Sequence, residues 1–204
     1  MIKIMLNGRW ELAEAGKDTL CEVQVPGSVL SGLYGAGKIE DPFYRTNEDA
    51  TRELFWKDYE FCRTFVVTED VLKEEKVVLV CEGLDTLTDI YINGEKAGST
   101  DNMHRTWKLD VKEFLHSGEN QIRIVFQSVF KYIEDYEYEE NKEIHYVPCG
   151  GMKGNQLIRK AHCMFGWDWG PQTIDAGIFR DIYLEAYSHP RIEDVKITQR
   201  HGDN

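Results

Sequence analysis

What this 204-residue chain lacks narrows its chemistry before any motif is considered. Positive charge is scarce, with 24 Lys and Arg against 36 Asp and Glu, for a formal net charge of −12 at pH 7. Phosphate-backbone recognition needs clustered cations, so nucleic acid is excluded as a partner. No apolar run is long enough to span a bilayer, and no membrane partner is expected. The opening Met1-Ile2-Lys3-Ile4-Met5-Leu6 passes at once into Asn7-Gly8-Arg9-Trp10, without the sustained apolar stretch of a secretory leader. Its 5 cysteines, Cys21, Cys62, Cys81, Cys149 and Cys163, are odd in number and irregular in spacing, which argues against a disulfide scaffold. Together with the absence of Asn-X-Ser/Thr sequons, this sets the expectation of a cytoplasmic protein.

Cofactor motifs are equally sparse. His145-Tyr146-Val147-Pro148-Cys149 and His162-Cys163 carry metal-ligating types but lack the paired Cys-X2-Cys spacing of zinc sites, so they read as loop packing. Gly32, Gly35 and Gly37 are dispersed, and Gly150-Gly151 has no following Lys-Ser/Thr, so neither is a nucleotide loop. A serine nucleophile elbow is also missing. No metal and no cofactor are expected.

What is present alternates with a period of two. Tyr59-Glu60-Phe61-Cys62-Arg63-Thr64-Phe65-Val66-Val67 places Tyr59, Phe61 and Phe65 on one face, as a half-buried strand does. Lys76 to Glu82 is apolar on both faces and reads as a central strand. Asp89-Ile90-Tyr91-Ile92 runs into Asn93-Gly94, the dipeptide that supplies both positive-φ positions of a type I′ hairpin turn. Ile122-Arg123-Ile124-Val125-Phe126 and Ile182-Tyr183-Leu184-Glu185-Ala186 complete the strand set. Helix signals are short: Ser28 caps a turn or two through Val29, Leu30 and Leu33, and Ser128 starts a second helix through Val129, Phe130 and Ile133. The acidic run Glu134, Asp135, Glu137, Glu139 and Glu140 reads as a solvated face.

Many short strands, few helices and turn-rich joints define an all-β chain, an antiparallel jelly-roll β-sandwich with long loops. Its length suits one domain, here residues 1–189. After His189-Pro190 the alternation restarts in Ile192-Glu193-Asp194-Val195-Lys196-Ile197, which marks 190–204 as a linker and the first strand of a further, truncated domain. Two stretches have little strand character, Pro26 to Arg52 and Glu137 to Gly177, and loops of that length in a compact domain are usually functional.

The second stretch holds Phe165-Gly166-Trp167-Asp168-Trp169-Gly170-Pro171, a carboxylate between two indoles. An indole face covers the C–H face of a pyranose, and an ionised aspartate accepts hydroxyl hydrogen bonds of about 1.5–3 kcal/mol each. The same residue types also suit a buried aromatic cluster with Asp168 capping a turn, and residue types alone leave both readings open.

Read together, these segments resemble the N-terminal, galactose-binding-like sandwich domain of glycoside hydrolase family 2, on its β-mannosidase branch. Leu6-Asn7-Gly8-Arg9-Trp10, Val25-Pro26-Gly27-Ser28, Asp41-Pro42-Phe43-Tyr44 with Asn47-Glu48, and Gly83-Leu84-Asp85-Thr86 carry the general likeness. Ile158-Arg159-Lys160-Ala161 with Phe165 to Pro171, then Gly177-Ile178-Phe179-Arg180, are the more selective part. The resemblance implies a parent hydrolase in which a barrel domain and an immunoglobulin-like domain accompany this one. It also implies that Trp167 and Asp168 line the subsite of a terminal β-mannoside, with Asp168 binding hydroxyls and not catalysing. Trp169 is expected to pack behind the site, Gly170 and Pro171 to fix the loop's exit, and Arg159 either to orient Asp168 or to pair with a surface acid.

Retaining glycosidases need two carboxyl groups roughly 5–5.5 Å apart, and the resemblance places both on the absent barrel. Asn47-Glu48 has the residue types of an acid/base pair but sits in an early loop with no barrel strand before it, so it is rejected. No catalytic residue is therefore expected in this chain, which alone should be inactive. A stand-alone carbohydrate-binding module and a purely structural sandwich are the alternatives.

Overall fold

The computed structural model describes residues 1–140, 151–190, 192 and 194–202, with the backbone alone for 137–140. Its strands are β1 (Ile2–Met5), β2 (Gly8–Glu14), β3 (Thr19–Val25), β4 (Gly27–Ser28), β5 (Tyr59–Val67), β6 (Lys76–Cys81), β7 (Leu84–Asp85), β8 (Thr88–Ile92), β9 (Glu95–Thr100), β10 (Trp107–Asp110), β11 (Gly118–Phe126), β12 (Gly177–Ile178) and β13 (Ile182–Tyr187). They pair antiparallel into a four-stranded sheet, β1-β13-β6-β10, and a six-stranded sheet, β3-β2-β5-β11-β8-β9. A small third sheet, β4-β12-β7, ties the first long segment to the end of the second. The chain is thus an antiparallel β-sandwich.

Alternation decides which side chains fill it. Along β11, Ile122, Ile124 and Phe126 turn into the core while Gln121 is exposed and Arg123 lies over the Tyr91 ring. Trp10, Leu12, Phe61, Ile90 and Ile92 join them from the same sheet and meet Val77, Leu79, Cys81 and Leu184 of the opposite one. Each such side chain contributes about 1.5–3 kcal/mol on burial. The Trp10 indole N–H is satisfied within the core by the Leu6 carbonyl at 2.8 Å. β6, apolar on both faces, does lie inside its sheet, between β13 and β10. Its outward Val78 and Val80 form a second small cluster with Tyr183, whose ring is covered by the Lys3 ammonium at 3.4 Å.

The expected turn signals hold. Asn93 and Gly94 have φ of 51° and 87° and join β8 to β9. Ser28 caps α1 (Val29–Gly35) in a reciprocal box with Ser31. The Ser128 hydroxyl accepts the Lys131 N–H at the start of α4 (Val129–Glu140) and donates to the Phe55 carbonyl at 2.6 Å. On α4 the described acids Glu134 and Asp135 are exposed.

Between them come two helices that periodicity did not suggest, α2 (Asn47–Leu54) and α3 (Glu69–Lys73). α2 begins inside the Pro26 to Arg52 stretch read as loop and runs two residues past it. Only Thr51 is buried along it, so there is no apolar stripe to read, whereas Glu48 and Asp49 in the first turn and Arg52 in the last suit the helix dipole.

Of the expected strand at 192–197, residues 192 and 194–197 are described; they pair with no described strand, and Ile192, Val195 and Ile197 are 83%, 67% and 81% exposed. Alternation supplies a face, and a strand that opens a further domain takes its neighbouring edge from that domain.

Register positions the two long segments. β5 and β11 pair with Tyr59 opposite Phe126, so the chain entering β5 and the chain leaving β11 emerge side by side at one end of the sandwich.

Candidate functional site

At that end the two segments are stapled together by buried polar groups. Asp175 Oδ1 accepts the N–H of Leu30 at 3.1 Å and of Ala176 at 2.8 Å, joining the first turn of α1 to the second segment. Burial pushes the Asp175 carboxyl up to about 6, against the opposing pull of the Ser28 hydroxyl, those two N–H groups and the Lys160 ammonium. A raised carboxyl favours the folded state most when protonated. That contribution is complete below about pH 4, the ordinary aspartate value, and is lost as pH rises through about 6.

Lys160 is the second staple. Its ammonium, fully buried, donates to Asp85 Oδ2 and to the Asp175 carbonyl, both at 2.6 Å. Asp85 in turn accepts the Thr86 hydroxyl. Further out, Glu48 Oε2 accepts the Gln172 N–H at 3.2 Å and the Arg52 guanidinium bonds the Gln172 side chain. Between the segments lies a cleft of about 350 Å³, lined by Leu30, Tyr34, Phe43, Met164, Thr173 and Asp175 among others.

The Trp-Asp-Trp run is a raised tip on this base. Phe165 is fully buried and its carbonyl accepts the Met152 N–H at 2.8 Å. Gly166 follows with φ of 81°, where an added Cβ would lie 2.3 Å from Gln172 Cγ, so glycine is required at the base of the turn. Trp167 N–H and Gly170 carbonyl (3.3 Å), and Gly170 N–H and Trp167 carbonyl (3.4 Å), close a four-residue turn. Asp168 and Trp169 stand at its apex. Trp167 is 39% exposed, and its ring centroid lies 5.3 Å from that of Trp169, the planes tilted by 50°.

Trp169, expected to pack behind the site, is 81% exposed in this chain and touches Trp167, because the apex of a closed turn projects away from the layer beneath it. Gly170 contributes its backbone groups and not a special conformation, since a Cβ there would come no nearer than 3.8 Å to Trp167. Pro171 is exposed on the outgoing limb. Arg159 is exposed and, among the described residues, joined neither to Asp168 nor to another carboxylate. Asp168 is itself exposed, so the buried-cluster reading of this run falls. Glu48 of the rejected Asn47-Glu48 pair braces the Gln172 backbone. His145 and Cys149 lie outside the described residues, and among the described residues no cluster of ligating side chains could hold a metal.

The residues missed were Lys160 and Asp175. A signal for Lys160 was available. In an extended segment neighbours alternate, so Lys160 shares the inward face with Ile158, 1% and 5% exposed, while Arg159 turns out.

Residues 10–180 match the family described as the glycosyl hydrolase 2 galactose-binding domain-like. The chain belongs to this family of β-sandwich domains. Within it the likeness is to β-mannosidases. The chain is 32% identical over 195 residues to the β-mannosidase of Capra hircus, an alignment covering 92% of this chain and 22% of that protein. It superposes on the crystal structure of the β-D-mannosidase of Dictyoglomus thermophilum with a TM-score of 0.89 at 33% identity, covering 95% of this chain and 24% of that one. The exo-chitosanase of Amycolatopsis orientalis shares the fold, with a TM-score of 0.65 at 16% identity and coverage of 92% of this chain and 21% of its own. The chain therefore spans about a fifth of the length of the relatives it matches.

Proposed function

We propose that this domain lends its Trp167-Asp168-Trp169 tip to the terminal-sugar subsite of a retaining β-mannosidase-like hydrolase whose two catalytic carboxylates reside on a barrel domain of the parent protein. An immunoglobulin-like domain would complete that parent. Asp168 binds sugar hydroxyls, Trp167 shapes the subsite, and no residue of this chain transfers a proton to or from the substrate. The observation that carries the reading is a hydrogen-bonded turn that presents an exposed carboxylate beside two indoles in mutual contact. The likeness to β-mannosidases over 92% of the chain supports the choice of sugar, and the 22% share of the relative supports a multidomain parent. The irregular cysteines support a cytoplasmic setting as part of the same proposal.

The test is Asp168→Ala in the full-length parent. Loss of charge-assisted hydrogen bonds of about 1.5–3 kcal/mol lowers kcat/KM for a β-mannoside by about 10- to 100-fold. Thermal unfolding should be unchanged. Wild-type kinetics in the folded variant would overturn the assignment.

A further inference from the structure

In a chain of net charge −12, one surface groove is lined by a guanidinium and two imidazoles and, among the described residues, by no carboxylate. It has a volume of about 520 Å³, and His104, Gln156, Arg159 and His162 supply its polar side chains. None of these residues belongs to the Trp167–Gly170 tip.

The groove is built on fixed backbone. Asn102 and Arg159 form a parallel β-bridge, and the Met103 N–H donates to the Arg159 carbonyl at 3.0 Å. The His104 N–H donates to Asn102 Oδ1 at 2.8 Å, and the Trp107 indole N–H holds the Asn102 carbonyl at 2.9 Å. Next to Arg159 in the chain, Lys160 is turned inward and neutralised by Asp85 at 2.6 Å. Its neighbour Arg159 has no such partner among the described residues, nor do the His104 and His162 rings.

An exposed guanidinium on a bridged backbone segment is a planar fork of donors matched to two oxygens of one anion. Two imidazoles that line the same groove add N–H donors. The missing acids matter as much. With 36 Asp and Glu in the chain, a general surface position would face carboxylates that repel an anion, and this groove does not.

We propose that this groove binds an oxyanion, a phosphate or a carboxylate group, with Arg159 as bidentate anchor and His104 and His162 as flanking donors. The group arrives either as free phosphate or as the acidic substituent of a sugar. The inference does not rest on the sugar reading of the Trp-Asp-Trp tip, and its test leaves Asp168 untouched.

Inorganic phosphate and glucuronate are each titrated into the 204-residue chain at low ionic strength, with backbone amide resonances as readout. Saturable shifts confined to residues 102–104 and 156–162 are expected with at least one of them. Phosphate alone points to the free ion, and glucuronate alone to a sugar-borne carboxylate. Arg159→Gln weakens binding by about tenfold or more, since the bidentate charge-assisted pair is lost. Arg159→Lys, which keeps charge but not the fork, falls between Gln and wild type. His104→Gln with His162→Gln gives a smaller loss, and Lys73→Gln, at a surface cation paired with Asp70, gives none. The Arg159 side chain is exposed, so the variants are expected to retain the wild-type amide spectrum elsewhere. Non-saturable shifts spread over the surface, or wild-type affinity in Arg159→Gln, would overturn the proposal.

Discussion

Two turns of this molecule spend their polar side chains in opposite ways. In the Asn93-Gly94 turn the side chain faces inward: Asn93 Nδ2 donates to the Phe114 carbonyl and to Asn120 Oδ1, each at 2.8 Å, and its Oδ1 accepts the Gln121 N–H at 2.9 Å. In the Trp167–Gly170 turn only the backbone closes the loop, at 3.3 and 3.4 Å, and Asp168 and Trp169 point to solvent. A turn whose donors and acceptors are consumed internally is a piece of scaffold. One that leaves a carboxylate and an indole unspent keeps them for a partner, and its rigidity has to come from beneath.

That contrast is sharpened most by removing what lies beneath. Lys160→Ala leaves Asp85 buried and unpaired and is expected to destabilise the fold by about 3–5 kcal/mol, read from urea denaturation. A change below about 1 kcal/mol, the range of exposed pairs, would show that Lys160 is not the anchor of the second segment. Next in size is Asn93→Ala. Three hydrogen bonds of about 1 kcal/mol each are lost, and alanine tolerates the left-handed backbone less well, so a cost of about 3–4 kcal/mol is expected from the same measurement. Smallest is the apex itself. Asp168→Ala and Trp169→Ala should move stability by no more than about 0.5 kcal/mol, as exposed positions do. Thermal unfolding that showed a larger loss would make this turn scaffold as well and erase the distinction between the two.

Much of the architecture was legible because burial in a sandwich imposes a period of two. Ile122, Ile124 and Phe126 announced β11, and the doubly apolar Val77 to Cys81 announced an interior strand. Turn chemistry was equally readable at Asn93-Gly94 and at the Ser28 cap, since both act through groups one to three residues away. The tip was legible as a set of residue types, but not its exposure: Trp169 was expected to be packed and is open. α2 escaped notice because a helix held by end charges and by Gln172 contacts has no apolar stripe. Lys160 escaped because a lysine ordinarily reads as surface, although alternation with Ile158 already pointed to an inward face.

The sequence by itself determined the class of fold, the places of its tight turns and the residue types offered at the tip, since these depend on alternation, on local φ preference and on composition. The tertiary structure alone decided that Tyr59 stands opposite Phe126 and so brings the two long segments to one end. It also decided that Asp85, Lys160 and Asp175, far apart in the chain, share one buried network. That Asp85 is the group that neutralises the inward Lys160 was settled there too. Such pairings depend on which strand edges meet, and the free energy of burying a charge depends on what lies across the gap.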